Sequence, residues 1–330
     1  MNIRPAYDTD IPAIIALMKA SLGESLLPKS EALWRWKHQT SPFGKSYVLV
    51  AEENNELIGL RAFMQWQWQW QSQTFRAIRA VDTATHPLHQ GKGIFKKLTL
   101  QQIELCKSDG IHFVFNTPNE QSRPGYLKMG WEAQGRMPMK LQLHTPISIV
   151  TRKLLRKQPF PINAPDATPV CDWSGIAALT ANDVTPYQGI HTATQPAYIQ
   201  WRYADNPLYR YGYLTDHKHY LLIYRFKHQG FAKEMRITDF FPLSHAPASQ
   251  VSHDLAKAVQ HLRKEHRISF TSMSGNHYLL HRPYFKWLGA IPVRNMGPIV
   301  TIKDVNATAM MDSLLDSSNW QYTLGDMELF

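Results

Sequence analysis

The chain has 330 residues, of which 44% are hydrophobic and 19% are charged, so it is long enough for two domains and is not typical of a disordered protein. Its two cysteines, Cys106 and Cys171, have no metal-ligand spacing, which argues against a disulfide framework and fits a reducing compartment. The net charge of +10 suits nucleic acid, an anionic membrane surface or a polyanionic small molecule, and the absence of a basic-aromatic recognition motif disfavours nucleic acid.

The first part of the chain alternates between helical and strand patterns. Apolar residues at helical spacing predict a first helix over residues 10–21, with Asp10 as its cap and Pro12 in its first turn. Further helices are predicted over 29–38, 94–108 and 121–129, and strands over 47–52, 57–70, 75–85 and 111–115. Strict alternation at the end of the second strand directs Trp66, Trp68 and Trp70 to one side, where core packing or a lid for a neighbouring domain is favoured over an aromatic wall beside a substrate cleft.

The second half of the chain repeats features of the first half in the same order. The repeated segments are Trp34-Arg35-Trp36 with Trp201-Arg202-Tyr203, Pro42 with Pro207, Arg79-Ala80-Val81-Asp82 with Arg236-Ile237-Thr238-Asp239, and Tyr126 to Gly130 with Tyr284 to Gly289. Four ordered echoes predict an internal duplication. The second copy has no glycine turn before its predicted helix at 250–266.

A glycine-bearing turn, His89-Gln90-Gly91-Lys92-Gly93, lies between the strand ending at Thr85 and the predicted helix at 94–108. The first N–H groups of a helix have no intrahelical acceptor, and the helix dipole adds partial positive charge there. Glycine removes the Cβ that would block phosphate oxygens, and Lys92, Lys96 and Lys97 add charge. The turn therefore suits a pyrophosphate or a 3′-phosphate, with a plain turn as the alternative.

This segment resembles the GNAT acetyltransferase superfamily. Residues 90–95 are similar to its Q/R-x-x-G-x-G/A motif, with Phe95 at the last position, and Thr85-His86-Pro87 is similar to its V-x-P. Asn119, Ser122 and the run from Tyr126 to Trp131 are similar to N-x-x-A-x-x-x-Y-x-K-x-G-F. The resemblance covers residues 1–143 and, more weakly, 171–303. It implies an α/β fold of two GNAT-like domains, each a twisted mixed, mainly antiparallel sheet flanked by helices.

The resemblance also implies a domain plan and residue roles. A catalytic domain binding acyl-CoA would span 1–145, a Pro-rich linker 146–170, a degenerate domain framing the acceptor 171–305 and a tail 306–330. The residues implied to contact the carrier are Thr83, Ala84 and Thr85 on the pantetheine arm, Gln90, Gly91, Lys92, Gly93, Ile94 and Phe95 on the pyrophosphate, and Asn119 and Ser122 near the pantetheine end. Tyr126 would protonate the leaving thiolate, with a packed aromatic as the alternative.

The general base has several candidates. Asp82 lies on the strand beside the expected thioester, and a structural partnership with Arg79 or Arg35 is an equal alternative for it. Glu24 is a second candidate. Some tandem GNAT enzymes bring their C-terminus to the active site, which adds Asp326, Glu328 and the terminal carboxylate by resemblance.

The sequence therefore predicts an acyl-CoA-dependent acyltransferase, with acetyl-CoA as the first donor considered. Its acceptor would be a small molecule with an amine or hydroxyl, and an amino sugar is suggested by analogy. The alternative is a non-catalytic module that binds acyl-CoA or a metabolite. No signal peptide, membrane span, nucleic-acid partner or metal site is expected, the location is predicted to be cytoplasmic, and a homo-oligomer is left open.

Overall fold

The computed structural model describes residues 1–23, 28–145, 154, 168–180, 188–243, 247–289, 291–293 and 296–327. It divides into two compact units. The first consists of Met1–Gly135 and Pro298–Asn319, and the second of Arg136–Gly297 and Trp320–Phe330. In the described part of the chain, no helix combines the length and apolar character needed to cross a membrane.

The first unit is a mixed sheet with helices on both faces. Its elements are β1 (Asn2–Pro5), α1 (Ile11–Leu22), α2 (Glu31–His38), β2 (Tyr47–Glu53), β3 (Glu56–Trp70), β4 (Gln73–Thr85), α3 (Ile94–Ser108), β5 (Phe113–Asn116), α4 (Arg123–Lys128), β6 (Glu132–Arg136), β14 (Ile299–Asp304) and α8 (Met311–Leu315). The strand order is β1-β2-β3-β4-β5-β14-β6. Strands β1 to β4 are antiparallel neighbours, whereas β4 and β5 are parallel because α3 carries the chain back across the sheet.

Alternation along the strands directs one set of side chains to α1 and α2 and the other to α3. Ile14 of α1 and Trp34 of α2 pack with Leu60 and Ala84 in one buried cluster. On the other face Leu98 of α3 packs over the sheet. Trp66 and Trp68 are buried against Phe115, so the core interpretation of the tryptophan run is confirmed for these two indoles.

The second unit repeats this topology. Its elements are β7 (Met139–Leu143), β8 (His191–Thr192), α5 (Pro196–Ile199), β9 (Gly212–Thr215), β10 (Tyr220–Gln229), β11 (Ala232–Pro242), α6 (Ala248–Glu265), β12 (Phe270–Ser274), α7 (Gly275–Leu280) and β13 (Ile291–Val293). The sheet order is β13-β7-β12-β11-β10-β9. Arg79 pairs with Phe115 in the first parallel pair and Arg236 pairs with Ser272 in the second, each 157 residues later. The predicted duplication is therefore present in the strand register.

The predicted domain boundaries differ from those of the structure. Strand β7 falls within the predicted first domain but pairs with β12 of the second unit, and β14 falls within the predicted second domain but pairs with β5 of the first. Each half of the sequence therefore supplies the strand that flanks the central parallel pair of the other unit. Residues 306–319 belong to the first unit rather than to a separate tail.

The segment Trp320–Met327 is built into the second unit. The Gly325 N–H donates to the carbonyl oxygen of Thr238 on β11 at 3.2 Å. Arg202, which is buried, donates to the carbonyl oxygens of Gly325 and Met327 at 3.0 and 2.8 Å. Because β11 pairs with β12 only over Glu234–Arg236, this segment lies alongside the part of β11 that continues past the pairing.

Asp326, one of the candidate bases, is buried in this segment. Its carboxylate accepts hydrogen bonds from the Thr192 hydroxyl at 2.6 Å and from the Thr323 N–H at 2.7 Å. The structure therefore gives Asp326 a role in fixing the C-terminal segment, which is a different role from the one the resemblance suggested. Glu328 and the terminal carboxylate lie outside the described residues, as does Glu24.

Gly325 makes this segment sensitive to a single methyl group. A Cβ at this position would overlap with the Tyr203 hydroxyl and the Asp239 carboxylate, both of them buried. We expect Gly325→Ala to lower the free energy of unfolding by about 3 kcal/mol, because neither neighbour can move without losing its own hydrogen bond. Chemical denaturation followed by fluorescence measures this loss.

Gly289→Ala is the matched control, since the nearest atom to its added Cβ is the Gln142 amide nitrogen at 3.9 Å. Equal stability of the two variants would contradict the close packing of the C-terminal segment.

Candidate active site

Strands β4 and β5 part in the middle of the first unit. Their last parallel pair is Arg79 with Phe115, after which β5 ends at Asn116 while β4 continues to Thr85. A register shift in β4 between Ala80 and Thr83, opposite Arg61 to Phe63 of β3, adds a bulge where the strands part. The N–H and C=O groups on the β5 side of this stretch of β4 can pair with an extended ligand as with an added strand.

The glycine turn lies at the end of the same strand. Gly91 and Gly93 have φ angles of +77° and +73°, which favour glycine, and Gly93 is the N-cap of α3. A Cβ at either position would meet no atom within 4 Å, so the space beside the backbone is open. Gln90, Lys92, Lys96 and Lys97 are also exposed, which makes the turn positively charged and accessible.

Gly59 of β3 allows the first turn of α3 to lie directly on the sheet. A Cβ there would be 2.5 Å from Cγ2 of Ile94 and 3.0 Å from Cδ1 of Leu98. Ile94 is therefore buried, and its side chain fixes the start of α3 against the end of the sheet at which β4 ends. The geometry of the turn is thus set by packing beneath it.

Phe95 does not cover the turn. Its ring packs edge-on against Tyr126, with ring centroids 5.5 Å apart, and it lies against Gly125 of α4. The bulky residue at the last position of the glycine motif therefore serves as a contact between α3 and α4. The exposed stretch from Gln90 to Gly93 keeps its backbone accessible.

The other predicted carrier contacts lie around the start of α4. Tyr126 is buried and also packs against Trp131. Asn119 is exposed, and its side-chain oxygen accepts hydrogen bonds from the Ser122 N–H and hydroxyl at 2.8 and 2.9 Å. The carbonyl oxygen of Ser122 accepts from the Tyr126 N–H at 3.2 Å, so the Asn119–Ser122 pair fixes the turn that carries Tyr126.

Asp82 is surrounded by cationic and imidazole groups of α2. Its carboxylate contacts the Lys37 ammonium at 3.0 Å and His38 Nε2 at 2.9 Å, and His38 Nδ1 contacts the Ser46 hydroxyl at 2.9 Å. Burial by itself raises the pKa of Asp82, but the charge of Lys37 and the hydrogen bond with His38 outweigh it and hold that pKa well below its usual range.

A carboxylate held in this way is a weak proton acceptor, so the environment of Asp82 favours the structural alternative over the base role. The partners differ from those the sequence suggested. Arg35 pairs with Glu31, and Arg79 donates to Thr117 at 3.4 Å and lies over the Phe115 ring. Lys37 and His38 gave no sequence signal, because both fall on a predicted helix with the spacing of ordinary polar residues.

Sequence reasoning also missed Arg61, on β3. Its guanidinium is buried close to the rings of Phe95 and Tyr126. A single arginine inside an otherwise apolar strand pattern does not reveal its surroundings. The one available signal was that the alternation along the strand predicts a core side chain at position 61, where the sequence has an arginine.

Known proteins resemble this chain in sequence and in fold. The model of an acetyltransferase (GNAT) domain matches residues 2–134. The L-amino acid N-acyltransferase MnaT of Escherichia coli is 30% identical over 94 residues, which are 28% of this chain and 53% of that protein. The chain therefore spans about half the length of this relative.

Solved structures are similar over most of the chain. A GCN5-related N-acetyltransferase from Anabaena variabilis aligns with a TM-score of 0.58 at 15% identity, covering 92% of this chain and 73% of that one. A probable N-acyltransferase from Enterococcus faecalis aligns with a TM-score of 0.58 at 10% identity, covering 94% and 74%. At sequence identities of 15% and 10%, the similarity to these structures supports the fold.

The Asp82 network gives a test of its structural role. We expect Asp82→Asn to lower the free energy of unfolding by about 3 kcal/mol at pH 7, because the buried Lys37 ammonium loses its carboxylate. The pKa of Asp82 is lowered in the folded protein. The ionised carboxylate therefore makes its full contribution to the free energy of unfolding above the ordinary aspartate pKa, and it loses that contribution only as the pH falls below this value. Urea unfolding at pH 8 measures this deficit.

Glu31→Gln is the control, since it removes an exposed carboxylate paired with Arg35 on the same helix and should cost less than about 0.5 kcal/mol. An Asp82→Asn variant that unfolds like the wild type but has lost turnover would restore the base role.

Proposed function

We propose that this protein, whose residues 2–134 form an acetyltransferase domain of the GNAT family, transfers an acyl group from an acyl-CoA to an amine. The observation that carries the proposal is the parting of β4 from β5 beside an exposed glycine turn at the start of α3. An extended thioester carrier needs both a strand edge for its pantetheine arm and a positive turn for its pyrophosphate. Acetyl-CoA is the first donor to test.

The carrier would lie along Thr83, Ala84 and Thr85 and bind its pyrophosphate at residues 90–95. Asn119 and Ser122 would contact it near the pantetheine end, in addition to fixing the turn before α4. The amine nitrogen would bond to the thioester carbon, and the carbon–sulfur bond would break with its electron pair going to sulfur. Tyr126 would then protonate the thiolate, and the amine's proton would pass to solvent, because Asp82 is a weak acceptor.

The acceptor is proposed to be a small molecule with a primary amine. Two acceptor classes come first. L-amino acids are suggested by the relative from Escherichia coli, and amino sugars by the resemblance of the sequence to tandem enzymes. A thiol-release assay with acetyl-CoA and matched panels of both classes separates them, because each turnover frees one thiol. A protein that binds CoA but turns over no donor with any acceptor would be the non-catalytic module instead.

The second unit is proposed to bind no acyl-CoA. The carbonyl oxygen of Thr238 on β11 already accepts a hydrogen bond from Gly325, where a carrier would need it. No glycine turn precedes α6, whose N-cap is Pro247. Titration calorimetry should therefore give one CoA site per chain.

Gly93→Glu tests the carrier site. The added carboxylate would face the pyrophosphate, so CoA affinity should fall by about 100-fold in titration calorimetry. Gly175→Glu in the second unit is the matched control, because Gly175 has the same φ of +73° and likewise meets no atom within 4 Å. Equal CoA affinity in the two variants would remove the glycine turn from the proposal.

Tyr126→Phe tests the proton donor. It should lower kcat by about 100-fold while the Kd for CoA stays within about twofold, because the phenol acts only when the thiolate departs. Tyr213→Phe, which removes a hydroxyl that donates to the Asp172 carbonyl in the second unit, should leave kcat unchanged. An unaltered rate in Tyr126→Phe would exclude this residue as the acid.

A further inference from the structure

Arg61 carries a buried positive charge that has no hydrogen-bond acceptor among the residues that the structure describes. The residue has 0% exposure, and its Nε, Nη1 and Nη2 atoms are all buried. None of the three has a hydrogen-bond partner within the described ranges of the chain. A guanidinium has five N–H donors, and none of those of Arg61 meets an acceptor in the described part of the chain.

Aromatic rings surround this charge. The guanidinium carbon lies 4.4 Å from the ring centroid of Phe63, 5.6 Å from that of Phe95 and 5.4 Å from that of Tyr126. Ring faces attract a cation, but they offer no acceptor to the N–H groups in the guanidinium plane. The arrangement is therefore stabilised only in part.

Another buried arginine of the protein, on a strand of the second unit, has a carboxylate partner. Arg236 on β11 is buried and donates through Nε and Nη2 to the two oxygens of Glu234, each at 3.0 Å. Burying an uncompensated charge costs far more than burying such a pair. A charge that stability alone disfavours points to a use in ligand binding or chemistry.

The location of Arg61 indicates that use. It pairs across the sheet with Thr83, on the stretch of β4 proposed to hold the pantetheine arm. Phe95 follows the glycine turn, and Tyr126 is the proposed proton donor. Arg61 therefore lies beside the stretch of β4 assigned to the carrier and near two of the side chains assigned to the site.

We infer that Arg61 supplies the positive charge that stabilises the negative charge formed on the sulfur as the thioester breaks. The inference rests on the proposed function. The electron pair of the carbon–sulfur bond goes to sulfur, Tyr126 delivers the proton, and Arg61 keeps its own protons throughout. In a site from which water is excluded, a fixed charge acts strongly and needs no reorganisation. Arg61 thus acts through its charge, while Tyr126 transfers the proton.

The test is Arg61→Met, which keeps the length of the side chain and removes the charge. The thermal midpoint of unfolding should rise by a few degrees, because a buried unsatisfied charge is gone. At the same time kcat with acetyl-CoA should fall by about 100-fold, with the KM for acetyl-CoA within about twofold. Arg61→Lys should recover part of kcat. A purely structural arginine would give the opposite sign for the midpoint.

Arg225→Met is the matched control. Arg225 is also buried, has no hydrogen-bond partner at Nε and Nη1 within the same described ranges, and lies 3.6 Å over the Tyr209 ring of the second unit. This variant should leave kcat unchanged. A loss of kcat as large as that of Arg61→Met would mean that removing any buried guanidinium disturbs the enzyme, and would overturn the inference.

Three further outcomes would overturn it. They are an unchanged kcat in Arg61→Met, a fall in its unfolding midpoint together with its activity, and an effect confined to succinyl-CoA, which would make Arg61 a binding site for a carboxylate on the acyl chain. Failure of the wild type to transfer an acyl group to any acceptor would refute the proposed function and this inference together. Wild-type turnover with an unaffected Arg61→Met would refute the inference alone.

Discussion

The first unit depends on one departure from regular sheet pairing, the point at which β4 leaves β5. A parallel pair joined by a helix would ordinarily continue for the length of both strands, but here it ends at Arg79 and Phe115. Beyond that point the N–H and C=O groups on this edge of β4 no longer pair with β5 and can pair with a ligand instead. Because α3 begins where β4 ends, the same departure also brings a helix N-terminus to the edge. The candidate site is therefore a consequence of the topology.

The two units differ in what lies beside the strand edge beyond the parallel pair. In the second unit the corresponding stretch of β11 receives the C-terminal segment, with Gly325 donating to Thr238. Gly325 has to be a glycine because of the Tyr203 hydroxyl and the Asp239 carboxylate beside it. In the first unit the glycines are in the turn before α3. The position of the glycines thus distinguishes the two copies. In the second unit Gly325 allows the chain itself to cover the strand edge, whereas in the first unit the glycines form an exposed cationic turn beside that edge.

Equivalent aspartates show how strongly surroundings control chemistry. Asp82 and Asp239 occupy matching places after matching arginines. Lys37 and His38 hold the pKa of Asp82 far below its usual range, whereas burial and the neighbouring Asp326 carboxylate raise the pKa of Asp239 to about 7. The difference comes from partners that lie about 45 residues before Asp82 and 87 residues after Asp239, so the shared Arg-x-x-Asp motif predicts neither state.

The sequence by itself determined the local elements and the turn, because hydrophobic periodicity, Pro12 and the two glycines act over a few residues. The helix at 94–108 was predicted with the bounds it has, and the duplication was evident in the order of its echoes. Only the tertiary structure decided the exchange of β7 and β14, the partners of Asp82 and the unsatisfied guanidinium of Arg61. Strand pairing and burial of a charge depend on residues distant in sequence, and short-range patterns contain no information about those encounters.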